Sequence, residues 1–121
     1  MHDCAKLVVV IRRDLHLGRD TLVIQACHAG LGALEDITPL ELEEWERNEY
    51  QTVVLLCTGE GELMRLEALA SLLGVNCYLA KDEGGIAIAL GLGPSTELRR
   101  VTGSLPLWYP QADSSSHVVV H

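Results

Sequence analysis

The stretch GRDTLVIQACHAGLGAL, from Gly18 to Leu34, constrains the fold more than any other part of the chain. It reads as one helix that is apolar on nearly every face except one, where Thr21, Gln25, His28 and Gly32 recur at i, i+4, i+7 and i+11. A helix dressed this way belongs in an interior. Its polar stripe must then meet other polar groups or a ligand, because an unpaired buried amide or imidazole costs about 1–3 kcal/mol. The stripe is therefore the candidate site, and the expectation is a helix buried on most of its surface.

The segments around it supply a sheet. Ala5 to Arg12, AKLVVVIR, is a β-branched run too short for a helix and apolar on both sides, as a strand covered on both faces would be. It ends at Arg13-Asp14, and the loop through Leu17-Gly18 feeds the helix, with Asp20 expected as its N-cap. A strand passing directly into a helix sets that helix's N–H groups at the strand's carboxyl edge, where anions and substrates settle in α/β folds. Thr38-Pro39-Leu40-Glu41 carries the cap, proline and glutamate of a second helix start, expected to run to about Asn48. Leu40, Leu42 and Trp45 would face inward and the glutamates water. Gln51 to Cys57 is another buried strand. Thr58 opens a third helix with Leu63, Leu66, Leu69 or Ala70 and Leu73 on its apolar face and Gly74 as its stop. Val75–Ala80 and Ile86–Gly93 read as strands joined by the KDEGG turn. Pro94-Ser95 would open a last short helix carrying Arg99 and Arg100 and ending before Gly103.

The order strand, helix, helix, strand, helix, strand, strand, helix predicts an α/β fold, a mixed four-stranded sheet between helical layers. Its 121 residues suffice for one domain with a real core, placed at 1–109, followed by a polar tail at 110–121 with Ser114, Ser115 and Ser116 in a row. Phe is absent and aromatics are 4%, which argues against a stacking face for single-stranded nucleic acid. The formal charge of -8 argues against a broad grip on phosphates but leaves room for a local patch at Arg12, Arg13 and Arg19. The glutamates at 41, 43, 44, 46 and 49 read as a solvated helix face. Cys4, Cys27, Cys57 and Cys77 form no C-x-x-C pair and are expected as buried free thiols. No apolar run approaches the roughly 20 residues that span a bilayer, so the reading is a soluble, cytoplasmic protein without a membrane partner. His117 and His121 are separated by valines, which favour an extended stretch over a metal-binding helix.

No G-x-S-x-G, H-E-x-x-H, P-loop or G-x-G-x-x-G motif occurs, and nothing has zinc-site spacing, so neither a metal nor a cofactor is expected. What the topology can gather at one sheet edge is polar: Arg13 and Asp14 after the first strand, Arg19 entering the helix, Gln25 and His28 along it, Lys81 and Asp82 after the third strand. A carboxylate beside cations, with an imidazole near by, can orient and deprotonate a water and stabilise an oxyanion. The same residues can equally form a structural ion-pair network, Gln25 can bond a strand's main chain, and Asp82 can simply shape a turn.

KLVVVIRRDLHLGRDTLVIQACHAGLGAL resembles the opening of the type 2 (archaeal and eukaryotic) peptidyl-tRNA hydrolases: a strand, R-x-D-L, a Gly followed by a basic residue, then Q-x-x-H-A and L-G-A on the helix. The resemblance continues through Lys81-Asp82 before a glycine, Gly93-Pro94, and Val101-Thr102-Gly103-Ser104-Leu105, and spans Lys6 to Leu107. It implies a mixed four-stranded sheet, a homodimer, and metal-independent hydrolysis of the ester joining a peptide to the 3′ end of tRNA. Residue by residue it implies a catalytic part for Asp82, for Arg19 in the place of the family's lysine, and for His28. Substrate binding would fall to Arg13, Asp14, Gln25 and Lys81. Arginine for lysine is not a neutral exchange, since a guanidinium stays charged and binds as a planar fork. Thr21 replaces a second lysine. After Asp82 the family's longer, threonine-bearing loop is cut to Glu83-Gly84-Gly85, as in the divergent peptidyl-tRNA hydrolase domain proteins. The readings that follow are a tRNA-directed esterase, a binding module of the same fold that has lost the chemistry and takes a protein or small-molecule partner, and a hydrolase of smaller acyl esters.

Overall fold

A computed structural model describes residues 4–103 and 105–107. The tail at 110–121, with its serine run and the His117/His121 pair, lies outside the described residues. The elements are β1 (Lys6–Arg12), α1 (Arg19–Leu34), α2 (Pro39–Arg47), β2 (Thr52–Cys57), α3 (Glu60–Leu72), β3 (Cys77–Lys81), β4 (Ala87–Ser95) and α4 (Arg99–Thr102). They form one mixed sheet in the order β2-β1-β4-β3, with β1 parallel to β2 and β4 antiparallel to both β1 and β3.

β1 and β4 are the central strands, and their sequences explain why. Leu7 to Ile11 are all buried, as are Ala87 to Leu92, because alternate residues feed two separate cores. Val8, Val10, Leu90 and Leu92 meet Leu63, Leu66 and Ala70 of α3 and Leu98 on one side. Val9, Ile11 and Ala89 meet Ala29 of α1 and Ala80 on the other. The result is the expected three-layer α/β architecture.

α1 lies close upon the sheet along a seam of small residues. A Cβ at Gly91 would fall inside the Ala29 carbonyl, and one at Gly32 inside the Tyr78 ring. This seam draws the helix over β4 and β3 and away from β2, and it corrects the expectation of a helix buried on most faces. Only Ala29, Gly30 and Ala33 are buried, while Val23, Ile24 and Leu31 are 45%, 54% and 65% exposed.

Local signals fared unevenly. At α2 the Thr38 Oγ1 accepts from the Glu41 N–H at 3.2 Å and Glu41 Oε1 accepts from the Thr38 N–H at 3.0 Å, the reciprocal box expected of T-P-L-E. Trp45 is buried there, but Leu40 and Leu42 are exposed, because only one narrow face of this nine-residue helix touches the domain. The cap of α1 is extended Gly18, and Asp20 sits in the first turn instead. α3 starts at Glu60 rather than Thr58, and Gly74 ends its turn at φ +73°, where side chains are disfavoured. β4 runs on to Ser95 through a cis Gly93-Pro94 bond, so Pro94 continues a strand and the last helix is a single turn. Of the thiols Cys57 is buried and Cys77 half-buried, whereas Cys4 and Cys27 are exposed.

Candidate active site

The carboxyl end of β1 closes on Arg12, a cation only 8% exposed. Its Nε and Nη2 donate to Asp14 Oδ1 and Oδ2 at 3.0 and 2.8 Å, a two-pronged fork on the carboxylate. Nη1 donates to the Ala87 carbonyl at 2.9 Å and stands 3.6 Å from Glu60 Oε2. One buried guanidinium thus ties together the end of β1, the first residue of β4, the loop at 13–18 and the start of α3. Gly59 is part of the fit, since a Cβ there would stand 3.3 Å from Asp14 Oδ2. The hydrogen bond from Arg12 holds the Asp14 carboxyl below its ordinary pKa, and the same bond raises that of Arg12 against the opposing effect of burial.

Across β4 lies the turn that carries Asp82. Asp82 Oδ1 accepts from the N–H groups of Gly84 and Ile86, both at 2.9 Å, and its own N–H donates to the Ile86 carbonyl at 2.9 Å. One carboxylate oxygen therefore shapes the shortened loop, and Oδ2 bonds to no described residue. Lys81 pairs with Ala87, the residue whose carbonyl receives Arg12, so this turn and the loop at 13–18 share one end of the sheet. α1 begins at that end with Arg19 and runs back over β4 and β3.

The polar stripe of α1 follows the line set by Gly32 on Tyr78, over the outer strand β3. His28 and Thr21 on it are exposed. Gln25 is half-buried, and its Oε1 is sealed from solvent with no hydrogen-bond partner among the described residues. Such an atom costs about 1–3 kcal/mol until something donates to it.

The structure therefore treats the sequence-derived residues differently. It joins Asp14 to Arg12 and commits half of the Asp82 carboxylate to a turn. Arg13, Arg19, His28 and Lys81 stand exposed, without a side-chain hydrogen bond or ion pair to another described residue. The ion-pair network is Arg12–Asp14–Glu60, whereas the sequence suggested Arg12 as a strand end and a member of a local basic patch and gave Glu60 no part in the site. The signal was in R-x-D: residues two apart in extended chain share a face. Chemically, the end of the sheet offers exposed cations for phosphate and a carboxylate oxygen, Asp82 Oδ2, that is not bonded to any described residue and can take a water. No group of three or more His, Cys, Asp or Glu among the described residues is placed to hold a metal ion.

Comparisons with known proteins identify the family. The family model described as peptidyl-tRNA hydrolase PTH2 matches residues 5–108. A peptidyl-tRNA hydrolase of Methanopyrus kandleri is 41% identical over 114 residues, covering 84% of this chain and 97% of the relative. One of Methanothermobacter thermautotrophicus is 28% identical over 110 residues, covering 84% and 98%. The human protein named peptidyl-tRNA hydrolase 2, mitochondrial, is 32% identical over 114 residues, covering 85% of this chain and 64% of its own length. With its mixed four-stranded sheet, its R-x-D-L and Q-x-x-H-A segments, and a family match over residues 5–108, the chain belongs to the peptidyl-tRNA hydrolase PTH2 family.

Proposed function

We propose that this protein hydrolyses the ester between a peptide and the 3′ end of tRNA, in translation and in the cytoplasm, without a metal or cofactor. The observation that carries the reading is the Arg12–Ala87 bond, which fixes the loop leading to Arg19 and the Asp82 turn at one end of a PTH2 sheet. Asp82 Oδ2 holds and deprotonates the attacking water. Water adds to the ester carbonyl, and the oxyanion that forms is met by the Arg19 guanidinium, entering at the positive end of α1. Collapse breaks the ester C–O bond, the ribose oxygen takes up the proton, and a peptide carboxylate and a free tRNA 3′ end result. His28 and Gln25 orient the reacting groups. Arg13 and Lys81 take phosphates, and Asp14 holds the loop through Arg12. Local cations serve here despite the overall charge of -8.

The test is release of peptide from peptidyl-tRNA by the purified chain. Asp82→Ala should lower the rate about 100-fold or more and Arg19→Ala should lower it similarly, whereas Arg19→Lys should retain most of it. Undiminished hydrolysis by Asp82→Ala would refute the assignment.

Two copies are proposed to pair through the outward ridge of α1, which supports this by exposing Ile24 and Leu31. Light scattering should give twice the chain mass for the native protein and the single mass for Ile24→Lys/Leu31→Lys.

A further inference from the structure

Of the two outer edges of the sheet, one is met by the chain itself and the other is open. At β2 the Leu56 N–H donates to the Pro106 carbonyl at 2.8 Å, and Leu107 lies antiparallel opposite Leu55. Beyond β3 no further strand pairs among the described residues. The register fixes which backbone groups this open edge presents. Gly93 N–H donates to the Asn76 carbonyl at 2.8 Å and Asp82 N–H to the Ile86 carbonyl at 2.9 Å, so the even-numbered residues, Asn76, Tyr78, Ala80 and Asp82, spend their backbone groups on β4. The odd-numbered ones, Cys77, Leu79 and Lys81, turn theirs outward.

The irregularity beside Lys81 leaves this alternation intact, because the extra residue, Ile88, lies in β4. Ala87, opposite Lys81, accordingly gives its carbonyl to Arg12 on the other side at 2.9 Å. Side chains alternate in step: Tyr78 and Ala80 lie on the α1 face, Cys77 and Leu79 on the α3 face. The polar stripe of α1, with exposed Thr21 and His28, passes over the same edge.

We infer, on the hydrolase reading above, that this edge is the track for the peptide moiety of the substrate, whose last residues add to β3 as a transient strand. Direction and position select this occupant. β3 ends at Lys81 and passes at once into Asp82, and the esterified carboxyl end of the peptide must reach Asp82, so the peptide has to lie parallel to β3. In a parallel ladder an outward-turned residue donates to the residue before its opposite number and accepts from the one after it. With the esterified residue level with Asp82, its N–H donates to the Lys81 carbonyl. The third residue from the ester accepts from the Lys81 N–H and donates to the Leu79 carbonyl, and the Leu79 N–H donates to the carbonyl two residues further back. The second residue from the ester turns its N–H away from β3. Main-chain pairing of this kind suits a substrate whose side chains differ from one peptide to the next.

Two measurements on the native full chain test this. N-acetyl-tetraalanyl-tRNA methylated on the amide nitrogen of the third residue from the ester should show kcat/KM lower by about 10-fold, whereas methylation of the second residue should change it by less than about twofold. Equal effects of the two methyl groups would overturn the peptide track and leave the hydrolase standing. Amide hydrogen exchange answers without turnover. With N-acetyl-tetraalanine joined through an amide to 3′-amino-3′-deoxyadenosine, the Leu79 and Lys81 amides should exchange about 10-fold more slowly than in the free monomer, while those of Tyr78 and Ala80, already bonded to β4, should not change. Such protection in a chain that releases no peptide from peptidyl-tRNA would keep the track and refute the hydrolase. Unchanged exchange at Leu79 and Lys81 would overturn the track. Slow exchange of these two amides before the probe is added would overturn it as well, assigning the edge to another stretch of the chain if seen in monomer, or to a second copy if seen only where dimer forms.

Discussion

Asp14 is the residue whose behaviour the structure specifies most sharply. Its carboxyl is held below the usual range by the Arg12 hydrogen bond, so its folded pKa lies under the unfolded value of about 3.9. The contribution of the pair is then complete above that unfolded pKa and is lost as pH falls through the lowered folded one. Asp14→Asn should therefore be less stable than the native chain at neutral pH, and the gap in denaturant midpoint should close below about pH 4. Salt should narrow it at neutral pH, because the Asp14 side chain is 41% exposed. Cys57 gives a second test at this scale. Burial pushes its thiol up to about 11, so at pH 8 a maleimide should label the exposed Cys4 and Cys27 rapidly and spare Cys57 until the chain unfolds. The sequence showed the carboxylate after β1 but not its partner, because a charged residue at the end of an apolar strand looks like a terminator. Only the close approach of Ala87 and Glu60, which depends on sheet order, makes Arg12 an interior cation.

Among the elements, strands were read well and helix surroundings poorly, for a physical reason. A run such as VVVI needs cover on both faces wherever it sits, so β1 as a buried strand followed from composition alone. What a helix buries depends on which strands it crosses. α1 is apolar almost all round, yet its small residues, Ala29, Gly30 and Ala33, decide the contact, and the bulky Val23, Ile24 and Leu31 are left outside. Hydrophobicity argued for burial and side-chain size overruled it. The seam itself can be measured. Gly32→Ala forces a methyl into the Tyr78 ring and should lower stability by about 1–3 kcal/mol, and Tyr78→Ala in the same chain should restore most of the loss, a coupling readable in a double-mutant cycle. The α2 cap should respond as caps do, with Thr38→Ala costing about 1 kcal/mol.

Over the whole molecule, sequence order determined the sheet because few arrangements satisfy one parallel and two antiparallel neighbours in so short a chain. The candidate site was legible as a set of residues but not as a geometry: Arg13, Arg19 and Lys81 were identifiable as cations, while their exposure without a side-chain partner among the described residues was not. That exposure has a measurable signature. Binding of tRNA should weaken steeply between low and high salt, as contacts made by exposed Lys and Arg do, and Arg13→Ala/Lys81→Ala should flatten the slope by about two phosphate contacts. Hydrolysis of the bound ester should still depend on Asp82.

The backbone-to-backbone fit of Gly91 under Ala29 acts as a fulcrum. Arg19 lies ten residues away along the same rigid rod, about 15 Å at the usual rise, so a wedge that tips α1 by about 4° swings the guanidinium by about 1 Å. Displacements of that size cost catalytic groups about 100-fold. Within this fold a methyl group buried on a central strand, touching no substrate, can shift the far end of the helix while every side chain of the proposed mechanism is still present.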